Sequence, residues 1–250
     1  MAKAEERTVS LDFADRWLSD AFRVLDTPGG FVTLDVDMSN ARKLVDDLRA
    51  QGTPATFNHL VVRAASIVLV RRPDVHYIVA GTRRLHPSRV DIGLSVAGNT
   101  HYAPVMVIED AAHKSVSELT TEIVKRTPEV RAKEELDLAS VRRWGWLVPF
   151  GSWRRAILRW CFRRVWFRRK LAGTFQISCL PADILVPFLF TSGAALGVGR
   201  VRDKVVAVDG QPVVRPMLTI ACIIDHKAWD GVRAISFLDE VRQLLESAVL

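Results

Sequence analysis

The chain has 250 residues, 49% of them hydrophobic, and a formal net charge of +7. This composition supplies enough apolar residues for a sizeable core and argues against a disordered chain. The three cysteines have no paired spacing, which argues against a disulfide framework or a zinc knuckle and indicates a reducing compartment. The polar N-terminus does not resemble a secretory signal, and the longest uncharged run, 184–199, is too short to span a bilayer.

The positive charge is concentrated in one segment. Residues 141–170 contain ten basic residues and no acidic residue, so subtracting ten from +7 leaves −3 for the rest of the chain. The global charge is therefore a poor guide to partners, because a single segment makes the protein basic.

Hydrophobic periodicity predicts alternating helices and strands in the first half of the chain. The helices are predicted over 11–25, 39–51, 58–70 and 115–126, and the strands over 31–37, 91–96 and 103–108. Ser39 is a candidate N-cap, and Ser115 with Glu118 has the spacing of a capping box.

The second half predicts several short strands and a closing helix. The strands are predicted over 175–179, 194–198, 205–208, 211–214 and 217–224, and the helix presents Ile235, Leu238, Val241 and Leu245 on one face. Asp209-Gly210 is typical of a hairpin turn. Hairpins and helical crossovers together predict one α/β domain, residues 1–250, with a mixed sheet.

One cluster of ionisable residues directly follows the apolar run 217–224. It reads Asp225-His226-Lys-Ala-Trp-Asp230-Gly231. A histidine at the end of a buried strand is held rigidly at the border of the core and can accept and return a proton near neutral pH. We expect Asp230 to hold the loop and Gly231 to allow a tight turn into the helix. The same pattern also fits a capped loop with a solvated histidine.

A family resemblance favours the catalytic interpretation. The motif His226-x-x-x-Asp230-Gly231 resembles the signature shared by chloramphenicol acetyltransferase and the catalytic domains of dihydrolipoamide acyltransferases. Further segments are similar to the latter family in the same order, from about Phe31 to the C-terminus: Asp91–Val96, Pro104-Val105, His113–Ser115, Gly173–Ser178, Ala195–Arg200 and Val206–Gly210.

The resemblance implies a fold, an assembly and a mechanism. The fold is an α/β, chloramphenicol acetyltransferase-like two-layer sandwich with a mixed sheet, and the assembly is a homotrimer with active sites between subunits. His226 is then the general base, Ser178 the hydrogen-bond donor to the oxyanion, and Asp230 a structural residue paired with Arg16 or Arg23. A preplaced donor of this kind supplies roughly 3 kcal/mol at the oxyanion.

Three departures from the family pattern concern the substrate more than the base. Cys179-Leu180-Pro181 replaces the usual Asn-Leu-Gly, Lys227 stands where arginine is usual, and the bulky Trp229 lies in the motif loop.

We expect neither a lipoyl domain nor a subunit-binding domain ahead of the catalytic region. The expected donor is therefore an untethered thioester, acyl-CoA or an acyl carrier, with no bound lipoyl group and no metal, and the acceptor is a thiol, hydroxyl or amine. The alternative is a non-catalytic trimeric scaffold that docks partners or lipid through 141–170.

The segment 141–170 interrupts the resemblance and holds five of the seven tryptophans: Trp144, Trp146, Trp153, Trp160 and Trp166. On a helical wheel Trp153, Ala156, Trp160 and Phe167 share one arc, and basic residues share another. Tryptophan with arginine suits a membrane interface. Packing on the trimer through ion pairs is an equal alternative, and nucleic acid is not expected as a partner. We expect a cytoplasmic protein, which on the first interpretation is peripheral at the membrane surface.

Overall fold

The computed structural model describes Trp17, Asp20, Val24 and residues 29–80, 83–98, 103–183, 192–226 and 228–250. Most of the helix predicted over 11–25 lies outside the described residues. Arg16, Arg23 and Lys227 also lie outside them.

The described residues form both strands and helices. The strands are β1 (Gly29–Asp37), β2 (Ile78–Ala80), β3 (Arg83–Leu85), β4 (Ile92–Ser95), β5 (Val105–Ile108), β6 (Phe175–Cys179), β7 (Ala194–Val198), β8 (Arg202–Val208) and β9 (Gln211–Asp225). The helices are α1 (Ser39–Ala50), α2 (Phe57–Arg71), α3 (Val116–Trp144), α4 (Gly151–Phe162), α5 (Val165–Ala172) and α6 (Gly231–Ser247). No helix among the described residues is long and apolar enough to cross a membrane.

Seven strands form one mixed sheet in the order β1-β9-β7-β6-β4-β5, with β8 paired to β9. The pairs β7–β6 and β6–β4 are parallel, and the other pairs of this sheet are antiparallel. The prediction of an α/β domain with a mixed sheet is therefore confirmed.

Strand β9 is longer than the sequence indicated. The two strands predicted over 211–214 and 217–224 are one continuous strand of 15 residues. The prediction was wrong because Pro216 suggested a break. Pro216 is paired with Asp203 of β8 on one side, and pairing of β9 with β1 on the other side begins only at Met217. The missing N–H of the proline therefore breaks no hydrogen bond to β1.

Helix α3 also extends far beyond its predicted end near Arg126. It continues through Pro128 to Trp144. Proline normally ends or kinks a helix because it lacks an N–H. Here contacts on both sides of Pro128 hold the helix in place: Arg126 donates to the Val107 carbonyl at 2.9 Å, and Arg131 donates to the Ala97 carbonyl at 2.9 Å.

The helix termini correct two further expectations. Ser39 is the first residue of α1 rather than its cap, and its backbone N–H donates to the carboxylate of Asp37 at 2.9 Å. The carboxylate of Asp37, rather than the hydroxyl of Ser39, therefore accepts a hydrogen bond from a backbone N–H at the start of α1. The capping box at Ser115 and Glu118 is confirmed, since each side chain bonds the other residue's backbone N–H.

The main core lies between one face of the sheet and helices α1, α2 and α6. Leu238, Val241 and Leu245 of α6 are buried there, as their spacing predicted. Ile235 is 55% exposed, so its predicted place in the core is wrong.

Helix α5 covers part of the other face of the sheet. Its C-terminal residue Ala172 presses its backbone carbonyl against Gly93 of β4, so closely that a Cβ at Gly93 has no room. The next residue, Gly173, has φ +68, which favours glycine, and turns the chain into β6. Arg169 of α5 is 3.0 Å from the buried carboxylate of Asp91.

The helical wheel over 153–167 assumed one helix, and this assumption was wrong. Helix α4 ends at Phe162, and α5 begins at Val165. The basic segment is thus a pair of short helices, so Trp153 and Phe167 do not share one helix face.

Two histidines are buried in the core in neutral form. Burial lowers the pKa of both His59 and His76 from 6.5 to about 4. His59 Nδ1 lies 3.0 Å from the Thr120 hydroxyl, and His76 Nε2 lies 2.9 Å from the Thr174 hydroxyl.

These two histidines predict acid sensitivity in a defined window. The unfolded chain takes up protons near pH 6.5 and the folded chain only near pH 4, so the free energy of unfolding falls as pH drops through this range. We expect a loss on the order of 2 kcal/mol per histidine at about pH 4.5. Urea unfolding at a series of pH values measures this slope. The double variant His59→Gln/His76→Gln should be less stable at pH 7 but show a flatter slope; an unchanged slope would contradict the assignment.

Candidate active site

His226 lies in the turn that follows the last residue of β9. Its side chain is exposed, and its ring lies over the backbone of Gly30 in β1. A Cβ built at Gly30 would be 2.9 Å from Nε2 of His226, closer than such atoms approach in real structures. The absence of a side chain at Gly30 therefore makes room for the imidazole.

Gly30 reaches this position through the register of the sheet. In the β1–β9 ladder Gly29 is opposite Asp225 and Gly30 is opposite Ile224. Sequence reasoning missed Gly30, because its only signal is a pair of glycines before a predicted strand.

The turn itself is closed by backbone hydrogen bonds around Asp225. The Asp225 carbonyl accepts from the N–H of Ala228 at 2.8 Å and from the N–H of Trp229 at 2.9 Å. The Asp225 N–H donates to the Gly193 carbonyl at 3.0 Å. These bonds fix the backbone on both sides of His226.

Trp229 anchors the motif loop in the core. Its side chain is 1% exposed and packs against Phe237 and Phe175, with ring centroids 5.3 and 6.3 Å away. The Tyr77 hydroxyl donates to the carbonyl of the preceding residue, Ala228. Trp229 is therefore a packing residue of the motif loop.

Asp230 caps helix α6. Its carboxylate accepts from the backbone N–H of Arg233 at 2.8 Å and pairs with the guanidinium of the same residue at 2.7 Å. The expected pairing with Arg16 or Arg23 concerns residues outside the described part of the chain, so it stays a prediction. Gly231 has neither a positive φ nor a crowded Cβ position, so the expected need for glycine at this turn was wrong.

Ser178 lies in β6, half-buried, on the face opposite the main core. Its neighbours across the sheet are Ser95 in β4 and Gly197 in β7, and Gly197 is paired in turn with Ala221 of β9. Ile177 and Leu196, on the alternate positions, point into the main core. Ser178 therefore lies in a row of small residues across the sheet.

Within one chain, Ser178 and His226 are far apart. Ser178 is level with Ala221, so His226 lies five residues further along β9 and two strands away. At strand dimensions this is about 17 Å along the sheet and about 10 Å across it. Gly30, beneath the His226 ring, shares a sheet face with Val32 and Leu34, which pack on the main core, whereas Ser178 is on the other face. One chain does not bring the two side chains together.

The cysteine beside Ser178 is not a competing nucleophile. Burial raises the pKa of the Cys179 thiol to about 12, so it is protonated at neutral pH. A shallow cleft begins at Cys179 and runs between the ends of β6 and β7 and the start of α2; it is lined by Thr56, Phe57, Asn58, Leu180, Pro181, Gly199, Arg200 and Val201 as well.

The basic segment 141–170 contacts strand β9 on the face of the sheet opposite the main core. Arg168 of α5 interacts electrostatically with Asp225, the buried residue that precedes His226, while burial lowers the pKa of Arg168. In the described residues, no group of three or more His, Cys, Asp or Glu side chains is arranged to hold a metal ion.

Comparison with protein families identifies the chain. The model for the 2-oxoacid dehydrogenases acyltransferase (catalytic domain) matches residues 23–138 and 184–250. The chain belongs to this family. The residues between the two matched ranges, 139–183, include the basic segment 141–170 and also Ser178.

The acyltransferase domain is similar in sequence to curated succinyltransferases. It is 25% identical over 218 residues to the dihydrolipoyllysine-residue succinyltransferase component of the 2-oxoglutarate dehydrogenase complex from Pseudomonas aeruginosa, which covers 84% of this chain and 45% of that protein. The corresponding protein of Rickettsia bellii is 27% identical over 225 residues, covering 85% of this chain and 48% of that protein. The chain thus spans about half the length of these relatives.

Solved structures show the same fold for the acyltransferase domain. Dihydrolipoamide acetyltransferase from Azotobacter vinelandii, studied for the role of a serine, a histidine and an asparagine in its mechanism, superposes with a TM-score of 0.75 at 19% identity, covering 98% of this chain and 93% of that chain. The cubic core of the pyruvate dehydrogenase multienzyme complex gives a TM-score of 0.70 at 20% identity, with coverage of 98% and 93%.

These comparisons confirm the family, the enzyme class and the two-layer α/β fold expected from the motifs. The individual roles of His226, Ser178 and Asp230 stay predictions.

The packing of Trp229 generates a stability prediction. Trp229→Ala should lower the free energy of unfolding by about 3–5 kcal/mol, since it empties a fully buried aromatic site. The control Trp146→Ala removes a tryptophan that is 64% exposed, and we expect a change within about 0.5 kcal/mol. Urea unfolding measures both values; equal effects would contradict the anchoring role of Trp229.

The contact between Gly30 and His226 generates an activity prediction. Gly30→Ala should displace the imidazole and lower kcat/KM by about tenfold or more while leaving the unfolding midpoint nearly unchanged. Thr33→Ala, an exposed position of the same strand on the opposite face, is the matched control and should retain wild-type turnover. Full activity of Gly30→Ala in acyl-transfer kinetics would show that the ring position does not matter.

Proposed function

We propose that the chain transfers an acyl group from a CoA thioester to a thiol acceptor, at a site that two copies of the chain build together. The observation that carries this proposal is the exposed imidazole of His226, held over Gly30 at the end of a buried strand in a chain of the acyltransferase family. A histidine so placed is open to substrate while its backbone is fixed.

His226 acts as the general base. It takes the proton from the acceptor S–H, and the resulting thiolate attacks the carbonyl carbon of the donor thioester. The tetrahedral intermediate then collapses: the bond to the CoA sulfur breaks, and the protonated imidazole returns its proton to the leaving thiolate. Proton transfer by a positioned histidine contributes about 10²–10⁴-fold to such reactions.

Ser178 stabilises the intermediate from a second copy. Its hydroxyl donates to the oxyanion that forms on the thioester carbonyl, which lowers the barrier in the step where charge develops. The separation of about 20 Å between the two residues within one chain supports this arrangement, because a common carbonyl lies within reach of both only when they come from different copies. A homotrimer supplies such pairs three times by symmetry.

The donor and acceptor follow from the relatives. Their names describe succinyl transfer at a dihydrolipoyl-lysine residue, so a dihydrolipoyl thiol and succinyl-CoA are the first pair to assay. We propose that the acyl group arrives on CoA rather than on a lipoyl group of this chain. We also propose a reducing, cytoplasmic setting, because the three cysteines have no paired spacing in the sequence.

A non-catalytic trimeric scaffold was the alternative. Membership of an enzyme family does not favour it.

The test separates the chemistry from the assembly. Chromatography measures the free CoA released from succinyl-CoA in the presence of dihydrolipoamide. We expect His226→Ala to be slower by at least about 10²-fold and Ser178→Ala by about 10²-fold, with unchanged folding. An active wild type that is unaffected by His226→Ala would remove the assigned base.

Mixing the two inactive variants tests the shared site. Co-refolded in equal amounts, His226→Ala and Ser178→Ala chains should recover about one quarter of the wild-type rate, because random pairing places an intact histidine against an intact serine in that fraction of interfaces. A site within one chain predicts no recovery.

A further inference from the structure

The exposed side of α4 is apolar. Trp153, Ala156, Ile157 and Trp160 occupy one side of the helix at spacings of three and four residues, and all four are exposed. Trp153 is 59% and Trp160 55% exposed. A helix of a soluble domain normally turns this kind of stripe towards the core. Helix α4 presents it outwards.

The apolar side continues into the residues before α4. Trp146, Leu147 and Phe150 are each more than half exposed, and the rings of Phe150 and Trp153 contact edge to face with centroids 5.2 Å apart. We call this set the Trp face; it consists of Trp146, Leu147, Phe150, Trp153, Ile157 and Trp160.

Two arginines on the other side of α4 form ion pairs with a buried carboxylate. Arg154 is buried and lies 2.7 Å from the carboxylate of Asp20, which Arg155 also approaches at 2.9 Å. Burial alone would raise the pKa of the Asp20 carboxyl. Hydrogen bonds from these two arginines and their positive charge outweigh this effect and hold the pKa below its usual value. A buried ion pair therefore fixes the orientation of α4, and this orientation turns the apolar side of the helix outwards.

Exposed basic residues lie in α4 and in the residues that follow it. Arg159, Arg163 and Lys170 are exposed and have no acidic side chain within ion-pair distance in the part of the chain that the structure describes. The guanidinium of Arg164 stacks on Trp160 at 4.9 Å. With no acidic residue between 141 and 170, the face combines indole rings with exposed basic side chains.

We propose that the Trp face binds the surface of an anionic phospholipid bilayer. Indole rings partition to the level of the headgroups, and arginine and lysine beside them pair with anionic lipid. The protein then lies on the membrane rather than crossing it, with α4 parallel to the bilayer plane.

A second copy of the chain fits this face less well. Two identical Trp faces would bring two segments of ten basic residues, without acidic residues of their own, against each other.

Vesicle flotation tests the proposal. We expect the wild type to float with vesicles containing about one third phosphatidylglycerol, at least about tenfold more than with pure phosphatidylcholine vesicles, and to be released by about 0.5 M salt. Trp153→Ala/Trp160→Ala should lower flotation about tenfold or more, and Arg159→Gln/Arg163→Gln should reduce the preference for anionic vesicles.

The matched control removes two exposed apolar side chains elsewhere. Val205 and Val214 are paired across the β8–β9 hairpin and are 70% and 63% exposed, so Val205→Ala/Val214→Ala should float like the wild type. Circular dichroism and size-exclusion chromatography check folding and assembly, and the CoA-release assay without vesicles should be unaffected by the tryptophan variant. Failure of the wild type to float, equal flotation of wild type and tryptophan variant, or a smaller assembly of the tryptophan variant would each overturn the proposal; the last outcome would assign the face to a second copy.

Discussion

The pairing of β1 with β9 is the constraint on which the proposed active site depends. Nine residue pairs place Gly29 opposite Asp225, and this register puts the bare backbone of Gly30 beneath the His226 ring. A slip of one residue would place the β1 side chains on the wrong face and put Phe31 where the glycine is needed. The ring position is thus set by the long sheet ladder, while Trp229 and the hydrogen bonds at Asp225 fix the turn locally.

The basic side chains of segment 141–170 fall into two groups, those in ion pairs with the rest of the chain and those that are exposed. Arg154, Arg155 and Arg169 find carboxylates outside the segment, at Asp20 and Asp91, and bind α4 and α5 to the domain. These ion pairs with the rest of the chain are of the kind that the packing alternative expected, while packing on a trimer stays a prediction. The remaining exposed cations lie beside outward-facing tryptophans. The two interpretations of the segment are therefore not exclusive, since they apply to opposite sides of the same helices.

The sequence predicted most elements and the position of the histidine, because buried strands and amphipathic helices leave strong periodic signals and the motif follows a strand directly. It did not predict Gly30, because a contact between residues nearly 200 positions apart depends on strand register. The course of α3 through Pro128 was missed for a related reason: local propensity ended the helix, and contacts such as that between Arg131 and Ala97 outweigh it. The sequence placed Trp229 in the motif loop but did not show that its side chain is buried, because a sequence does not tell which side of a loop faces the core.

The close contact between α5 and β4 ties the basic segment to the sheet. Because the Ala172 carbonyl occupies the space that any side chain at Gly93 would need, the strand and the inserted segment have become mutually dependent. Excising the insertion would uncover the sheet there and leave Asp91 without Arg169. The segment that the family model does not match is therefore part of the packing of the domain, and its removal should destabilise the sheet as well as take away the Trp face.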